Sequence, residues 1–261
     1  MITRLSLTLM VLATVTLVGC PGRFARPDDF QADPAPLLAA VATRGEQVRS
    51  LTAQLRLEVW HGSERVKLRQ LVAVRRPDHL RVDSLSPFDQ PLSTLVSDGE
   101  RLRIYALDEH RFYEGPATPR NLGKLMPIRL EPHELNDLLR GVVPVMPHTQ
   151  AKVGWNADEG WYQLDLEGPG GRQRIHFEPK GRRVVQTTVW RGDAVRWKAR
   201  LGRFDGEGPG ALPTRLRFEA PAEELRIDVE VVDHRQNPDL PDAAFELEVP
   251  RGVQVEALDG G

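Results

Sequence analysis

From residue 51 the chain alternates between apolar and polar positions. In "LTAQLRLEVW", Ala53, Leu55, Leu57 and Val59 are separated by Gln54, Arg56, Glu58 and Trp60. In "RVKLRQLVAV", Val66, Leu68, Val72 and Val74 share one side with Gln70. The same period of two runs through "LRVDSL", "RLRIYAL", "WYQLDLE", "RQRIHFE", "VRWKARLGRF", "LPTRLRFE" and "LRIDVEVV". Alternation of this kind makes strands with one buried and one wet face, and the pattern predicts about ten or eleven of them. Short links at Ser97-Asp98-Gly99-Glu100, Gly168-Pro169-Gly170-Gly171, Lys180-Gly181 and Arg191-Gly192-Asp193 are hairpin signals. The expected architecture is mainly β: a curled, meandering antiparallel sheet.

Three segments break the period. "PLLAAVATRGEQVRSL" predicts a helix over about 35–50, capped by Asp33 with Pro34 in its first turn, and Leu37, Leu38, Val41 and Val48 on one face. "RNLGKLM" groups Leu122, Leu125 and Met126. "PHELNDLLRGVV" groups Leu135, Leu138, Leu139 and Val142, with Pro132 starting the helix and Gly141 ending it. These helices are the available cover for the sheet's apolar face. Leu55, Leu57, Val72, Leu102, Ile104, Leu164, Leu166, Trp197, Leu201, Phe218, Leu225, Ile227 and Val229 are expected to point into its concave side. A packed core and a hollow one show the same alternation, so the pattern leaves that choice open.

The first residues follow another logic. Met1 to Arg4 form a short basic start, and Leu5 to Val18 are apolar with scattered Ser and Thr. That run is short against the roughly 20 residues of a bilayer-spanning helix, and it fits a secretory signal. It ends in Leu17-Val18-Gly19-Cys20, and Cys20 is the only cysteine. This ending resembles the lipobox of bacterial lipoproteins. The resemblance implies cleavage before Cys20, a diacylglyceryl thioether on its sulfur and an acylated amine; the alternative is an uncleaved anchor helix with an incidental cysteine. The expected organisation is a signal peptide over 1–19, the lipidated Cys20 and a flexible Pro- and Asp-rich tether over 20–34, and one domain over 35–261.

With a single thiol there is no intramolecular disulfide, so the fold rests on its core. About 240 residues remain after residue 19, enough for a large core. Loss of Arg4 takes Lys+Arg from 35 to 34 against 37 acidic residues, a net charge of −3, which argues against nucleic acid as a partner. His61, His79, His110, His133, His148, His176 and His234 form no pair at metal-ligand spacing, and no nucleophile elbow or phosphate loop is present. No catalytic residue, metal or cofactor is expected. A basic row of Arg196, Lys198, Arg200, Arg215, Arg217 and Arg226 is either a solvated face or a surface for anionic head groups or an acidic protein.

The order of parts resembles the lipoprotein-localisation proteins, the LolA/LolB-like family. The resemblance is carried by "RRPDHLRVDSLSPFDQPLSTLVSDGERLRIYALDEHRFYEGP", by "LEPHELNDLLRGVVP" and by the closing "LPDAAFELEVPRGVQV" with Phe245, Pro250 and Gly252. It implies an unclosed β-barrel whose hollow interior accepts acyl chains, here lined by Leu55, Leu57, Leu102, Ile104, Leu138, Leu139, Leu164, Leu166, Trp197, Leu201, Phe218 and Ile227. It further implies lipoprotein acyl chains or other lipid as cargo, a periplasmic carrier protein as partner, a monomer, and an outer-membrane location, since Pro21 is not the Asp that retains such proteins in the inner membrane. The family's protruding delivery loop corresponds to "SLSPFDQPLS", with Phe88 as its exposed apolar residue. The other open reading is an envelope assembly protein with a filled core that acts through its surface.

Overall fold

The computed structural model describes residues 23–123, 129–208 and 210–258. Six strands follow one another as an antiparallel meander: β1 (Ser50–His61), β2 (Glu64–Arg75), β3 (His79–Leu85), β4 (Pro91–Ser97), β5 (Arg101–Ala106) and β6 (Arg111–Pro116). A second meander contains β7 (Gln150–Asn156), β8 (Trp161–Gly168), β9 (Gly171–Phe177), β10 (Val184–Arg191), β11 (Ala194–Asp205), β12 (Leu212–Ala220) and β13 (Leu225–Gln236). The two join where β13 pairs antiparallel with β1, from Leu51 opposite Gln236 to His61 opposite Leu225. A last strand, β14 (Gln254–Ala257), adds in parallel to β6. The result is one 14-stranded sheet whose edges, β14 and β7, do not pair with each other: an unclosed β-barrel.

The sheet has more strands than alternation predicts, for a physical reason. In β4, Leu95, Val96 and Ser97 are all buried, and in β10 so are Thr187, Thr188 and Val189. Strands covered on both faces lose the period of two. The four-residue β14 is too short to show one. Gly115 explains how β14 comes in: a Cβ there would sit 2.5 Å from the Leu258 carbonyl oxygen, so only glycine lets the C-terminal segment lie against β6.

The helices are α1 (Ala35–Gln47), α2 (Pro119–Leu122) and α3 (Pro132–Leu139). The Ala35 amide donates to the Asp33 carboxylate at 3.0 Å. Helix α1 stops short of residue 50 because Val48 leaves helical geometry and Ser50 already pairs in β1. In α3, Glu131 and Glu134 form a reciprocal capping box, and Gly141 follows at φ +69°. Of the expected "RNLGKLM" helix, Leu122 falls in α2, whereas Leu125 and Met126 lie outside the described residues.

The helices divide the apolar face. Leu37 and Val41 of α1 pack on Tyr162, Leu164, Leu166, Ile175, Phe177 and Leu201. Leu135 and Leu138 of α3, with Leu122 and Leu130, pack instead over β1–β5 and β11–β13. Helix α3 is pinned by polar side chains that no pattern announces. Asn136 donates to the His79 carbonyl at 2.9 Å. Buried Arg140 donates to the Asn136 side chain at 2.8 Å, to the Gly45 carbonyl at 3.3 Å and to the Val48 carbonyl, and pairs with Asp137. Arg44 of α1 donates to the Arg140 carbonyl at 2.9 Å. Burial, and then the nearby Arg140, push the Arg44 guanidinium down to about 10.

The segment before α1 also has contacts. The Phe24 amide donates to the Ala157 carbonyl at 2.7 Å, the Trp155 indole donates to the Phe24 carbonyl at 3.0 Å, and Phe30 stacks on Tyr162 at 5.7 Å. Residues 23–30 therefore lie along the β7–β8 hairpin. Cys20 is outside the described residues.

Candidate functional site: an apolar cavity beneath helix α3

Between α3 and the inner face of the central strands lies a cavity of about 390 Å³. Its walls come from inward positions of β1 and β2, from β3–β5, and from β12 and β13 across the joint between the two meanders. At one end its lining is fully buried, as at Leu51, Leu95 and Ile104. At the other it is exposed, at His61, Glu64 and Val66 around the β1–β2 turn. The cavity therefore opens toward that turn. The long β1–β2 hairpin creates the opening, because β3 pairs with β2 only from Arg69 to Arg75 and leaves the hairpin tip uncovered on that side.

Away from His61 and Glu64 at the mouth, the lining is apolar apart from a small polar group on β2–β4. Gln70 donates to the Ser84 hydroxyl at 3.2 Å, and Ser93 lines the same wall. A space of this kind suits a flexible apolar chain with a hydrogen-bonding group at one point along it.

The structure brings together Leu55, Leu57, Ile104, Leu138, Leu139, Phe218 and Ile227 in the cavity wall. Leu102 and Trp197 belong to the same core but stand behind the wall, Trp197 stacked on Phe218 at 5.9 Å. Leu164, Leu166 and Leu201 are elsewhere, in the packed cluster under α1, so these three expected lining residues are corrected to core. The reason is the placement of α1, which fills the space over β8 and β9 that a fully hollow barrel would leave open. Wall residues that the sequence reading did not assign to the cavity include Leu51, Leu95, Leu130 and Leu212. Val66 and Leu68 were visible as inward positions, but alternation does not distinguish a wall from a packed interior.

Phe88 is 87% exposed on the β3–β4 loop. The loop is held by short-range bonds: the Asp89 amide to the Ser86 carbonyl at 3.0 Å, the Ser86 amide to the Gln90 carbonyl at 2.8 Å, and the Ser86 hydroxyl accepting from Phe88 and Gln90 at 3.2 Å each. The ring is thus presented on a defined turn rather than on a slack segment.

A larger depression, about 660 Å³, lies over the outward positions of the central strands, where arginines and carboxylates stand beside Leu57, Leu68, Leu201, Leu216 and Val229. Among the described residues no group of three His, Cys, Asp or Glu side chains is placed to hold a metal ion. His176 is buried against Trp161, and neither ring nitrogen has a hydrogen-bond partner. Burial, followed by the Arg174 charge, pushes it down to about 4, so it is neutral at pH 7.

These features define a class: an unclosed, helix-covered antiparallel barrel with an apolar space inside, the LolA-like fold. Solved structures with this fold include a LolA superfamily protein from Nitrosomonas europaea, with TM-score 0.57 and 14% identity over 84% of this chain and 99% of that one. A putative outer membrane lipoprotein-sorting protein domain from Vibrio parahaemolyticus matches with TM-score 0.56 and 10% identity over 80% of this chain and 94% of that one. A DUF1329 family protein from Desulfovibrio piger gives 0.59 and 12% over 83% and 98%. By sequence, no family model and no curated protein matches the chain.

Proposed function

We propose that the protein is a LolB-like carrier: a lipoprotein anchored through acylated Cys20 to the outer membrane and facing the periplasm, which takes acyl chains of lipoproteins or other lipids into the cavity beneath α3 and passes them to the membrane. The observation that carries this reading is the apolar cavity itself, open at the β1–β2 turn and closed at the Leu51 end. Ten methylenes withdrawn from water contribute about 8 kcal/mol, micromolar affinity before the cost of ordering the chain, so apolar walls suffice for binding. The Gln70–Ser84–Ser93 group would meet an ester or amide of the cargo. Phe88, exposed on its rigid turn, would enter the headgroup boundary during delivery. Binding by these walls requires neither enzymatic chemistry nor a cofactor.

The test is titration with an acylated peptide. Leu138→Glu puts a carboxylate into the wall and is expected to weaken binding at least tenfold while circular dichroism shows the sheet intact. Half-buried Leu139→Glu serves the same purpose should the first variant unfold. Absence of acyl-peptide binding by the wild-type protein contradicts the reading, as does undiminished binding by both variants.

A further inference from the structure

The depression on the polar face has a charge arrangement that folding alone does not explain. Outward positions of five adjacent strands line it: Arg69 and Lys67 on β2, Arg56 and Glu58 on β1, Asp228 and Glu230 on β13, Arg215 and Arg217 on β12, Arg200 on β11. The carboxylates are already engaged. Arg217 and Arg226 converge on Asp228 at 2.7 and 2.6 Å, Arg65 and Lys67 take Glu58, and Arg215 approaches Glu230 at 3.8 Å. Cations remain in excess. Among the described residues Arg56 has no ion-pair partner, and Arg200 donates only to the Gln186 side chain at 2.8 Å.

The register adds to this. Arg56 stands directly opposite Arg69, and Arg200 directly opposite Arg217. Like charges facing each other across antiparallel strands are destabilising; Asp89 offsets Arg69 and Asp228 offsets Arg217, which leaves Arg56, with Glu230 opposite on its other side, and Arg200 as the arginines of these pairs without an ion pair. Gly202, opposite Arg215, leaves the floor open, since a Cβ there would meet nothing within 4 Å. The β3–β4 loop forms one wall of the groove: Pro87 lines it, Asp89 pairs with Arg69, and between them the Phe88 ring stands free.

We infer that this face docks on an anionic phospholipid surface, with headgroup phosphates at Arg56 and Arg200 and Phe88 dipping into the apolar layer below them. An acidic protein would account for the arginines but leaves the bare ring without purpose; a membrane accounts for both. The inference shares the membrane contact of Phe88 with the proposed function and adds the arginine face to it; because Arg56, Arg69, Arg200 and Arg217 have no part in the cavity, it can fail while acyl binding holds, and the reverse.

The experiment is co-sedimentation of the mature chain, residues 20–261 carrying Cys20→Ser, so that neither an acyl anchor nor the apolar run Leu5 to Val18 competes, with vesicles of pure phosphatidylcholine or of phosphatidylcholine with phosphatidylglycerol. Binding is expected to be stronger to the anionic vesicles and to fall with added salt. Each arginine removed should lower the partition about fivefold, so Arg56→Gln combined with Arg200→Gln should lower it about thirtyfold on anionic vesicles and leave zwitterionic binding unchanged. A circular dichroism spectrum and a urea midpoint at the wild-type values confirm that the double variant is folded. Equal binding to both vesicle types overturns the inference, as does full anionic binding by the double variant. Poly-glutamate binding that depends on the same arginines, with no preference for anionic vesicles, overturns it in favour of an acidic protein partner.

Discussion

Arg140→Met removes the fastening of the cavity's cover. Arg140 is 2% exposed and bonds to the Val48 and Gly45 carbonyls, the Asn136 side chain and Asp137. Methionine fills a similar volume, so the change isolates the polar role. Three acceptors lose a donor and a half-buried carboxylate loses its cation. Burial already holds the Asp137 carboxyl above the ordinary carboxylate range, and without Arg140 that penalty loses its largest offset. Removing one partner of a buried pair costs about 3–5 kcal/mol, and the stranded carbonyls overlap with that cost rather than adding to it in full, so the expected loss is about 4 kcal/mol. This is a large part of the roughly 5–15 kcal/mol that holds a domain together. In urea the midpoint should fall by more than about 1 M with an unchanged slope. Replacing Asp137 by Leu in the same chain removes the stranded charge and should restore part of the loss. A midpoint within about 0.3 M of wild type would refute the view that Arg140 holds α3 over the sheet.

Three further outcomes follow from the same reasoning. Phe88→Glu should leave folding and cargo uptake near wild type and slow cargo release into liposomes severalfold, since a ring entering the headgroup boundary contributes at most about 1.5–3 kcal/mol; equal transfer rates would make the loop an ordinary connection. His176 titrates near 6.5 when unfolded but near 4 when folded, so between these values the unfolded chain holds the extra proton; stability should decline as pH falls from about 6.5 to 4, and His176→Leu should flatten that part of a urea-midpoint profile. Cys20→Ser should abolish lipid labelling and leave a precursor uncleaved at this site; a cleaved product that stays with the membrane would contradict the lipobox reading.

The strands that could be read from the chain are those with one wet face. β1, β8 and β13 announce themselves because Leu55, Leu164 and Ile227 alternate with Arg56, Asp165 and Asp228. β4 and β10 do not, because burial on both faces erases the contrast. The helices were legible from their caps and from the spacing of Leu135, Leu138 and Leu139, but not which part of the sheet each would cover. That assignment decides the site: Leu164 and Leu55 have the same local pattern, yet one is packed under α1 and the other faces the cavity. The fastening of α3 was not legible either. Arg140 and Asn136 look like solvated helix residues until the chain ends they grip, near Gly45, Val48 and His79, are brought together by the fold.

The most direct test of the central claim is what the protein carries. Protein purified from its host membrane fraction, with Leu138→Glu prepared in parallel, can be extracted into organic solvent and the extract examined by mass spectrometry. The account predicts acyl lipid or acylated peptide in near-stoichiometric amount with the wild type, beyond the lipid attached to Cys20, and markedly less with the variant. Wild-type protein that is fully folded and yields no lipid other than its own anchor, in an amount that Leu138→Glu does not change, would contradict it.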